Sequence, residues 1–186
     1  MPNRSTQDAL GPLTRGLSQS GVRLANERAI LTLVAVKPGI SNADLARSSG
    51  LGPQTTSRIL ADLETQGLIL RGEVLRGKRG QPATPYSLNP EGAYTIGIEV
   101  NWRHFEAVLL DFTGTRRAGI RQSYEFPDAR TMVQDLSASV QTVLEALSGD
   151  QRAKMLGIGL AMPTRMEKSI EFLAPAGQGA LWRDLD

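Results

Sequence analysis

The first ninety residues alternate between apolar stripes of helical spacing and short polar turns. Residues 22–36 carry apolar side chains at three- and four-residue steps, which predicts an amphipathic helix. A Pro-Gly pair at residues 38–39 ends it, because proline disfavours helical geometry at the residue before it. The side chains expected to face inward are Leu24, Ile30, Leu31, Leu33 and Val34.

Two further short helices are predicted between residues 41 and 66, joined by a tight turn. Ser41 suits the N-cap of the first, and Asp44 lies in its first turn, where a negative charge complements the helix dipole. Gly50 ends that helix, and Pro53 opens the second at the position where a helix tolerates proline. Such a pair can place its second helix in the major groove of DNA.

The second helix of the pair, residues 53–66, separates an inward face from a polar face. Helical spacing places inward the side chains of Thr56, Ile59, Leu60 and Leu63. The polar face carries Gln54, Thr55, Arg58 and Asp62. We predict that Gln54, Thr55 and Arg58 read base edges, and that Thr56 and Ser57 donate to phosphates. Taken alone, such a polar face is typical of any solvent-exposed helix.

A basic hairpin, or wing, is predicted after this helix, with strands beginning at residue 68 and ending at residue 88. Its tip holds Lys78 and Arg79 between two glycines. A flexible cationic tip fits the narrow, negative minor groove of DNA or its phosphates. We therefore predict that Lys78 and Arg79 contact DNA, with Gln81 near the groove floor. The alternative is a hairpin that is exposed to solvent and binds nothing. DNA binding is favoured because the helix pair and the basic wing occur together, in the order expected of a winged helix.

Beyond a turn at residues 89–92 the pattern changes to strands. Three strands are predicted at residues 94–100, 104–111 and 116–126, and a nearly continuous apolar run at residues 155–161 predicts a buried parallel strand. Between them lies a helix at residues 131–147, ended by Gly149. Its inward face is expected to hold Val133, Leu136, Val140, Val143, Leu144 and Leu147. The order βββαβ predicts an α/β domain with a mixed sheet, so the whole chain is α+β.

Composition narrows the classes of protein that remain. With 186 residues, 40% of them hydrophobic and 22% charged, the chain is globular and holds one ordinary domain plus a small one. The absence of cysteine excludes disulfides and zinc-thiolate sites, and a single histidine disfavours His-based metal or triad chemistry. No cofactor is expected. No apolar run reaches the ~20 residues of a membrane span, and no secretory signal is evident, so a cytoplasmic location is expected.

Charge is segregated along the chain. Residues 1–92 hold 11 Lys or Arg against 7 Asp or Glu, a balance of +4, whereas residues 93–186 hold 10 against 12. The basic half is the one that carries the helix pair. This asymmetry indicates a polyanionic partner for the first half.

The joined order of these pieces resembles the ROK family, which groups sugar-responsive repressors with sugar kinases. The stretches that carry the resemblance are NERAILTLV, GKRGQPATPYSLNP, IGIEV and VLLDFTG, within residues 20–186. The resemblance implies a winged helix-turn-helix head fused to an actin-like, ribonuclease H-like domain. It also implies a sugar or sugar-phosphate effector that alters DNA affinity, and a homo-oligomer.

The kinases of that family carry an Asp-x-Gly-Gly-Thr loop for ATP phosphates after the first strand, and this chain departs from it. The matching positions hold Glu99, Asn101, Trp102 and Arg103, whose bulk occupies the space that phosphates need. The family's later catalytic and zinc-site residues have no counterpart here. We expect no phosphoryl transfer, and predict that the second domain is partial. A partial sheet leaves the strand at residues 155–161 without a neighbour, which predicts self-association there.

The sequence therefore predicts a flexible arm at residues 1–20, a winged helix-turn-helix domain at 21–90 and a partial ROK domain at 91–186. The predicted function is sequence-specific binding of double-stranded DNA by a transcriptional repressor of sugar-utilisation genes. Two alternatives stay open. One is an enzyme related to sugar kinases with a regulatory DNA-binding head, and the other is a winged-helix module that binds another protein.

Overall fold

A computed structural model describes residues 19–74 and 83–183 of the chain. They divide into two compact units. The first unit holds the chain up to Thr65 and Arg71–Ser87, and the second holds Gln66–Leu70 and the chain from Leu88 onward. Nearly all of the predicted arm and the whole tip of the predicted wing lie outside the described ranges. Among the helices described, none is long and apolar enough to cross a bilayer.

Three helices form the body of the first unit: α1 (Gln19–Val36), α2 (Asn42–Ser49) and α3 (Pro53–Thr65). This confirms the predicted helix followed by a helix pair. Each helix packs against the other two. The three helices share a core of side chains that are at most 1% exposed, namely Ile30, Val34, Leu45, Leu60 and Leu63.

The inward position predicted for Leu24 is wrong, because that side chain is 67% exposed. Ile30 and Val34, four residues apart, define the buried stripe of α1. Leu24 precedes Ile30 by six residues, which turns its side chain about 120° around the helix from that stripe. An apolar residue near a stripe is therefore not necessarily part of it.

A small three-stranded sheet accompanies the helices in the order β1 (Ile40–Ser41), β3 (Pro85–Leu88) and β2 (Ile69–Arg71). The two-stranded wing predicted from the sequence thus gains a third strand. Strand β1 runs antiparallel to β3, with Ile40 opposite Tyr86. At the base of the wing the Gly72 amide donates to the Pro85 carbonyl over 2.8 Å.

The second unit contains a four-stranded mixed sheet. Its strands are β4 (Tyr94–Val100), β5 (His104–Asp111), β6 (Arg116–Ser123) and β7 (Met155–Ala161), in the order β6-β5-β4-β7. Pairing is antiparallel between β4 and β5 and between β5 and β6, and parallel between β4 and β7. The predicted mixed sheet is confirmed, although β6 ends three residues before the predicted Phe126.

The helices of the second unit are α4 (Ala129–Leu144), α5 (Gly149–Arg152), α6 (Met166–Ser169) and α7 (Gln178–Arg183), with a turn of 3-10 helix at Ile170–Phe172. Helix α4 starts earlier than predicted because Asp128 caps it, accepting from the Arg130 amide over 3.0 Å. Its buried stripe runs through Met132 and Val143, so Val133 is 55% exposed and its predicted inward position is wrong. Gly149 does not end α4 but opens α5.

One face of the sheet forms the core of this unit. Tyr94, Ile96, Ile98 and Val100 alternate along β4 and are buried, and their partners on β5 include Phe105, Ala107 and Leu109. Alternate residues of a strand point to opposite faces, so these side chains share a single face. They join Met132, Val143 and Trp182 in one apolar cluster.

The prediction that residues 155–161 form a buried strand is half correct. The strand does run parallel to its neighbour, but it lies at the edge of the four-stranded sheet. Leu156, Ile158 and Leu160 are between 55% and 68% exposed. An apolar run reads the same in a covered strand and in an uncovered one, so the sequence alone does not distinguish them.

The turn between β5 and β6 is organised by the Asp111 carboxylate, whose side chain is 2% exposed. Asp111 Oδ1 accepts from the Thr113 amide (2.9 Å), the Thr113 hydroxyl (2.6 Å) and the Thr115 amide (3.1 Å). Burial alone raises the pKa of this carboxyl. The hydrogen bonds from Thr113 and Thr115 and the charge of Arg117 outweigh burial and hold the pKa below its ordinary value.

We expect Asp111→Asn to lower the free energy of unfolding by about 1–3 kcal/mol at neutral pH, because the amide replaces an acceptor of charge-assisted bonds. A lowered pKa contributes stability above the carboxyl's unfolded pKa of about 3.9, and that stability is lost as the pH falls through the folded pKa. Urea unfolding at pH 7 and near pH 2 measures the difference. The exposed Asp150→Asn is the control, and an equal effect of Asp111→Asn at both pH values would contradict the prediction.

Candidate DNA-binding surface

The start of α2 is capped as the sequence predicts. The Asp44 amide donates to the Ser41 hydroxyl oxygen over 3.2 Å, and that hydroxyl donates to Asp44 Oδ2 over 2.7 Å. The hydrogen bond from Ser41, and then the bond from Arg47, lower the pKa of the Asp44 carboxyl. At the other end Gly50 has a φ of 71°, a left-handed conformation that glycine adopts at little cost. The Gly50 cap ends α2 and leaves only Leu51 and Gly52 between it and the start of α3 at Pro53.

The inward face of α3 is buried as predicted, with Thr56, Ile59, Leu60 and Leu63 between 0% and 5% exposed. Thr56 corrects part of the predicted site. Its hydroxyl is fully buried and donates to the Gly52 carbonyl over 3.2 Å. It therefore cannot reach a phosphate, and the predicted DNA contact of Thr56 is wrong. Its hydroxyl group instead forms a hydrogen bond to the backbone at the start of α3.

The outward face of α3 presents the other predicted contacts of this helix. Gln54, Thr55, Ser57 and Arg58 are all exposed. Gln54 and Thr55 precede Arg58 by four and three residues, so the three side chains are neighbours on the helix surface. The guanidinium of Arg58 forms no ion pair within residues 19–74 and 83–183. This leaves a planar five-donor group for a base or a phosphate. The roles of these residues stay predictions.

Ser57 is tethered to the preceding helix by Asn42, a residue that the sequence analysis did not single out. The Asn42 side-chain amide donates to the Ser57 hydroxyl oxygen over 2.7 Å. Ser57 can still donate its own hydrogen to a phosphate, because it serves here as the acceptor. The tether joins the first residue of α2 to the exposed face of α3. No local pattern announces it, since fifteen residues separate the two side chains.

A second link, again absent from the sequence analysis, joins α1 to α3. Arg23 Nε lies 2.7 Å from Glu27 Oε1, and Arg23 Nη2 lies 3.1 Å from Asp62 Oδ2. The hydrogen bond that Arg23 donates to the Glu27 carboxylate is the main reason that the pKa of Arg23 is raised. Asp62 is an acid on the polar face of α3, and its pairing with Arg23 reduces the repulsion that it would exert on DNA phosphates.

The three predicted wing contacts belong to the tip of the hairpin. Lys78, Arg79 and Gln81 lie outside the described ranges, so their predicted contacts with DNA stay predictions. Arg71, at the end of β2, is described and exposed. It marks where the basic stretch of the wing begins.

Two adjacent threonines offer a matched test of which face of α3 meets DNA. We expect Thr55→Ala to weaken binding to a selected DNA site and to leave stability unchanged, because Thr55 is exposed. We expect Thr56→Ala to lower the free energy of unfolding by about 1 kcal/mol through loss of a buried hydrogen bond. Its DNA affinity should not change where the protein is fully folded. Urea unfolding and fluorescence anisotropy on both variants separate the two effects, and the reverse assignment would contradict this orientation of α3.

The sequence matches a winged helix-turn-helix DNA-binding family over residues 23–69. A protein of Sinorhizobium fredii, named uncharacterized protein y4fQ, is 28% identical over 138 residues, which cover 74% of this chain and 35% of that protein. The xylose repressor of Bacillus spizizenii is 23% identical over 170 residues, which cover 90% of this chain and 43% of the repressor. The chain thus spans less than half the length of these relatives.

A similar fold occurs in the crystal structure of a ROK family transcriptional regulator described as a homolog of the E. coli MLC protein. The TM-score is 0.55 and the identity 19%, over 76% of this chain and 36% of the other. At this identity the likeness concerns the fold. It extends beyond the helix-turn-helix, because the matched share of the chain is much longer than residues 23–69.

Proposed function

From the chain's place in the ROK family of winged-helix transcriptional regulators, we propose that it is a sequence-specific DNA-binding repressor of sugar-utilisation genes. It acts in the cytoplasm on double-stranded DNA and as a homo-oligomer. The relatives named xylose repressors support the link to sugar use. The matched winged helix-turn-helix supports the link to DNA.

The single observation that carries this proposal is the outward face of α3. An amide, two hydroxyls and a guanidinium are exposed together on a helix whose other face is buried. Arginine and glutamine side chains can each form two hydrogen bonds to the edge of one base. Hydroxyl groups form hydrogen bonds to bases or to phosphates. The excess of positive charge in residues 1–92 adds the sequence-independent attraction that brings such a helix to a duplex.

Selection from a random duplex pool tests this function, because it requires no assumption about the operator sequence. The purified chain should enrich a defined motif. Fluorescence anisotropy should then give an affinity for that motif on the order of 10³-fold or more above a scrambled duplex. The logarithm of the binding constant should fall linearly with the logarithm of salt concentration. A pool that stays random after selection, or equal affinity for motif and scramble, would reject sequence-specific binding.

We place the effector at the carboxyl ends of β4 and β7, where open α/β sheets bind ligands. A cavity of about 430 Å³ lies there. Apolar side chains form much of its wall, and Thr164, Arg165 and Glu167 supply polar groups. Arg165 is the one residue other than glycine at positive φ in the described ranges, and backbone strain of this kind clusters at ligand sites.

A sugar effector should raise the melting temperature of the chain, because a ligand that binds only the folded state stabilises it. Xylose, glucose and their phosphates are the probes, and Arg165→Ala is the variant that should reduce the shift. Release of the selected DNA by the same sugar would identify it as an inducer. If none of these compounds shifts the melting temperature, the cavity is not the site for this class of effector.

We propose that the chain transfers no phosphoryl group, and the turn after β4 supports this. The Asn101 amide donates to the His104 carbonyl (2.8 Å), and the Tyr124 hydroxyl lies 2.5 Å and 2.8 Å from the Asn101 and His104 carbonyls. Burial raises the pKa of Tyr124 to about 12. Trp102 packs against the core beside it. The turn is filled and hydrogen-bonded where kinases of the family hold phosphates. ATP hydrolysis and glucose phosphorylation assays should give no turnover, and measurable turnover would reject this part of the proposal.

A further inference from the structure

The hydroxyl group of Ser57 is bonded differently from those of other residues in the helices. A serine or threonine hydroxyl within a helix commonly donates to the carbonyl four residues earlier. In α3, Thr56 donates in this way to the Gly52 carbonyl over 3.2 Å, and Thr65 to the Ala61 carbonyl over 2.8 Å. The same bond is made elsewhere by Thr32, Ser49, Ser137, Ser139 and Thr142.

Ser57 accepts a hydrogen bond instead of donating one to its own helix. Its oxygen accepts from Asn42 Nδ2 over 2.7 Å, and within residues 19–74 and 83–183 its hydroxyl donates to no acceptor. A hydroxyl group has one hydrogen and two lone pairs. Because one lone pair is bonded to α2, the hydrogen of Ser57 stays available to a partner that approaches the exposed face of α3.

The side chain of Asn42 is only partly satisfied by this bond. Its Oδ1 atom is buried and has no hydrogen-bond partner among the residues that the structure describes. Buried polar atoms are usually paired, and an unpaired acceptor lowers the stability of the fold. Stability alone therefore does not account for an asparagine at this position. The bond from Asn42 to Ser57, which joins α2 to the exposed face of α3, does account for it.

We propose that Asn42 is a positioning residue, which holds the Ser57 hydroxyl as a hydrogen-bond donor to a phosphate of the DNA backbone. Phosphate oxygens only accept hydrogen bonds, so they match a hydroxyl whose oxygen is already bonded to Asn42. Asn42 acts through Ser57 and does not itself need to touch DNA. The inference rests on the proposed DNA-binding function and deepens it, because it adds a residue of α2 to the surface of α3.

Asn42→Ala should weaken DNA binding without lowering stability. Without Asn42, the Ser57 hydroxyl is free to donate to the Pro53 carbonyl four residues earlier. We expect Ser57→Ala to weaken binding on the order of tenfold, and Asn42→Ala by about three- to tenfold. Selected and scrambled duplexes should lose affinity by the same factor, because a phosphate contact carries no sequence information. The melting temperature of Asn42→Ala should not fall, since the substitution also removes the unpaired buried oxygen.

A double-mutant cycle tests whether Asn42 acts through Ser57. Asn42→Ala should have no further effect on DNA affinity once Ser57 is alanine, so the double variant should bind as tightly as Ser57→Ala alone. If the two losses multiply instead, Asn42 contributes to binding independently of Ser57, and the proposal is overturned. Thr65→Ala is the control for loss of a hydroxyl from α3. It should leave DNA affinity unchanged, because the Thr65 hydroxyl donates to the Ala61 carbonyl.

Asn42→Asp tests the direction of the hydrogen bond. A carboxylate at neutral pH only accepts hydrogen bonds, so it would take the hydrogen of Ser57 away from DNA. This variant should bind both duplexes less tightly than Asn42→Ala does, since its charge also repels phosphates. Wild-type affinity in Asn42→Asp would show that Ser57 is the donor in this pair, and would overturn the proposal.

Fluorescence anisotropy with the selected and the scrambled duplex measures these affinities on the whole chain, and thermal unfolding followed by circular dichroism measures stability. A wild type that binds DNA together with an Asn42→Ala variant that binds equally well would overturn this inference and leave the proposed function standing. A fall in both stability and affinity would show that Asn42 only supports the fold, which also overturns it. A wild type that binds neither duplex would reject the proposed function itself and this role of Asn42 with it.

Discussion

Arg58→Ala is expected to lower the affinity of the chain for its selected DNA site by about 1–3 kcal/mol, while affinity for scrambled DNA changes much less. The reason is geometric. The Arg58 guanidinium is exposed on α3, one helical turn from Gln54, and has no ion-pair partner among the described side chains. Its two parallel donors can bond to the O6 and N7 atoms of a guanine, a contact that only the correct base pair offers.

Two variants separate base reading from simple loss of charge. Arg58→Lys keeps the charge but loses the planar fork, so it should recover affinity for scrambled DNA without recovering specificity. Arg121→Ala removes one exposed positive charge from the second unit and should leave specificity intact. Fluorescence anisotropy at several salt concentrations measures all three. Unchanged binding of Arg58→Ala to both the selected and the scrambled duplex would show that α3 does not read DNA.

A substitution in the wing is expected to reduce affinity for DNA without reducing specificity. Lys78→Ala should weaken binding to all sequences alike and flatten the salt dependence, because a lysine that neutralises a phosphate carries no sequence information. A selective loss of affinity for one motif would instead place Lys78 at a base edge.

The sequence was sufficient for those parts of the molecule that depend on neighbouring residues. The ROK-family recognition, the α+β class and the helix pair are confirmed by the comparisons and the structure. The capping of α2 by Ser41 and Gly50 follows from bonds within one or two turns of chain, so local sequence determines it. The buried face of α3 follows from helical spacing alone.

Features that depend on residues far apart in the chain could not be predicted from the sequence. Asn42 with Ser57 and Arg23 with Asp62 join residues fifteen and thirty-nine positions apart, and no spacing rule selects them. Strand β1 has two residues, too few for any alternation to show. The exposure of β7 depends on which elements surround it, because its apolar run would be identical if helices covered both faces.

Thr56 shows a different limit of sequence reasoning. Helical spacing correctly placed it on the inward face, while its hydroxyl also suggested a phosphate contact. These two inferences exclude one another, because a side chain at 0% exposure cannot reach a ligand outside the helix. Threonine in a helix can bond to the carbonyl four residues earlier, as Thr56 does with Gly52. Position around the helix therefore outweighs side-chain chemistry in selecting the DNA-binding residues.

Leu60→Ala is expected to lower the free energy of unfolding by about 2–5 kcal/mol. Leu60 is 1% exposed and packs in the core that α1, α2 and α3 share, so truncation removes apolar contact and leaves a cavity. A loss of this size is a large part of the roughly 5–15 kcal/mol by which domains are usually stable. Urea unfolding followed by circular dichroism measures it.

Leu24→Ala is the matched control, because it is the same chemical change on α1 at a side chain that is 67% exposed. It should change the free energy of unfolding by less than about 0.5 kcal/mol, as surface substitutions usually do. DNA binding gives a second readout. The outward face of α3 acts only when its inward face is packed, so Leu60→Ala should lose affinity for selected and scrambled DNA together as the folded fraction falls. Equal effects of the two substitutions would mean that Leu60 does not anchor α3, and the surface assigned to DNA would then lack the support that positions it.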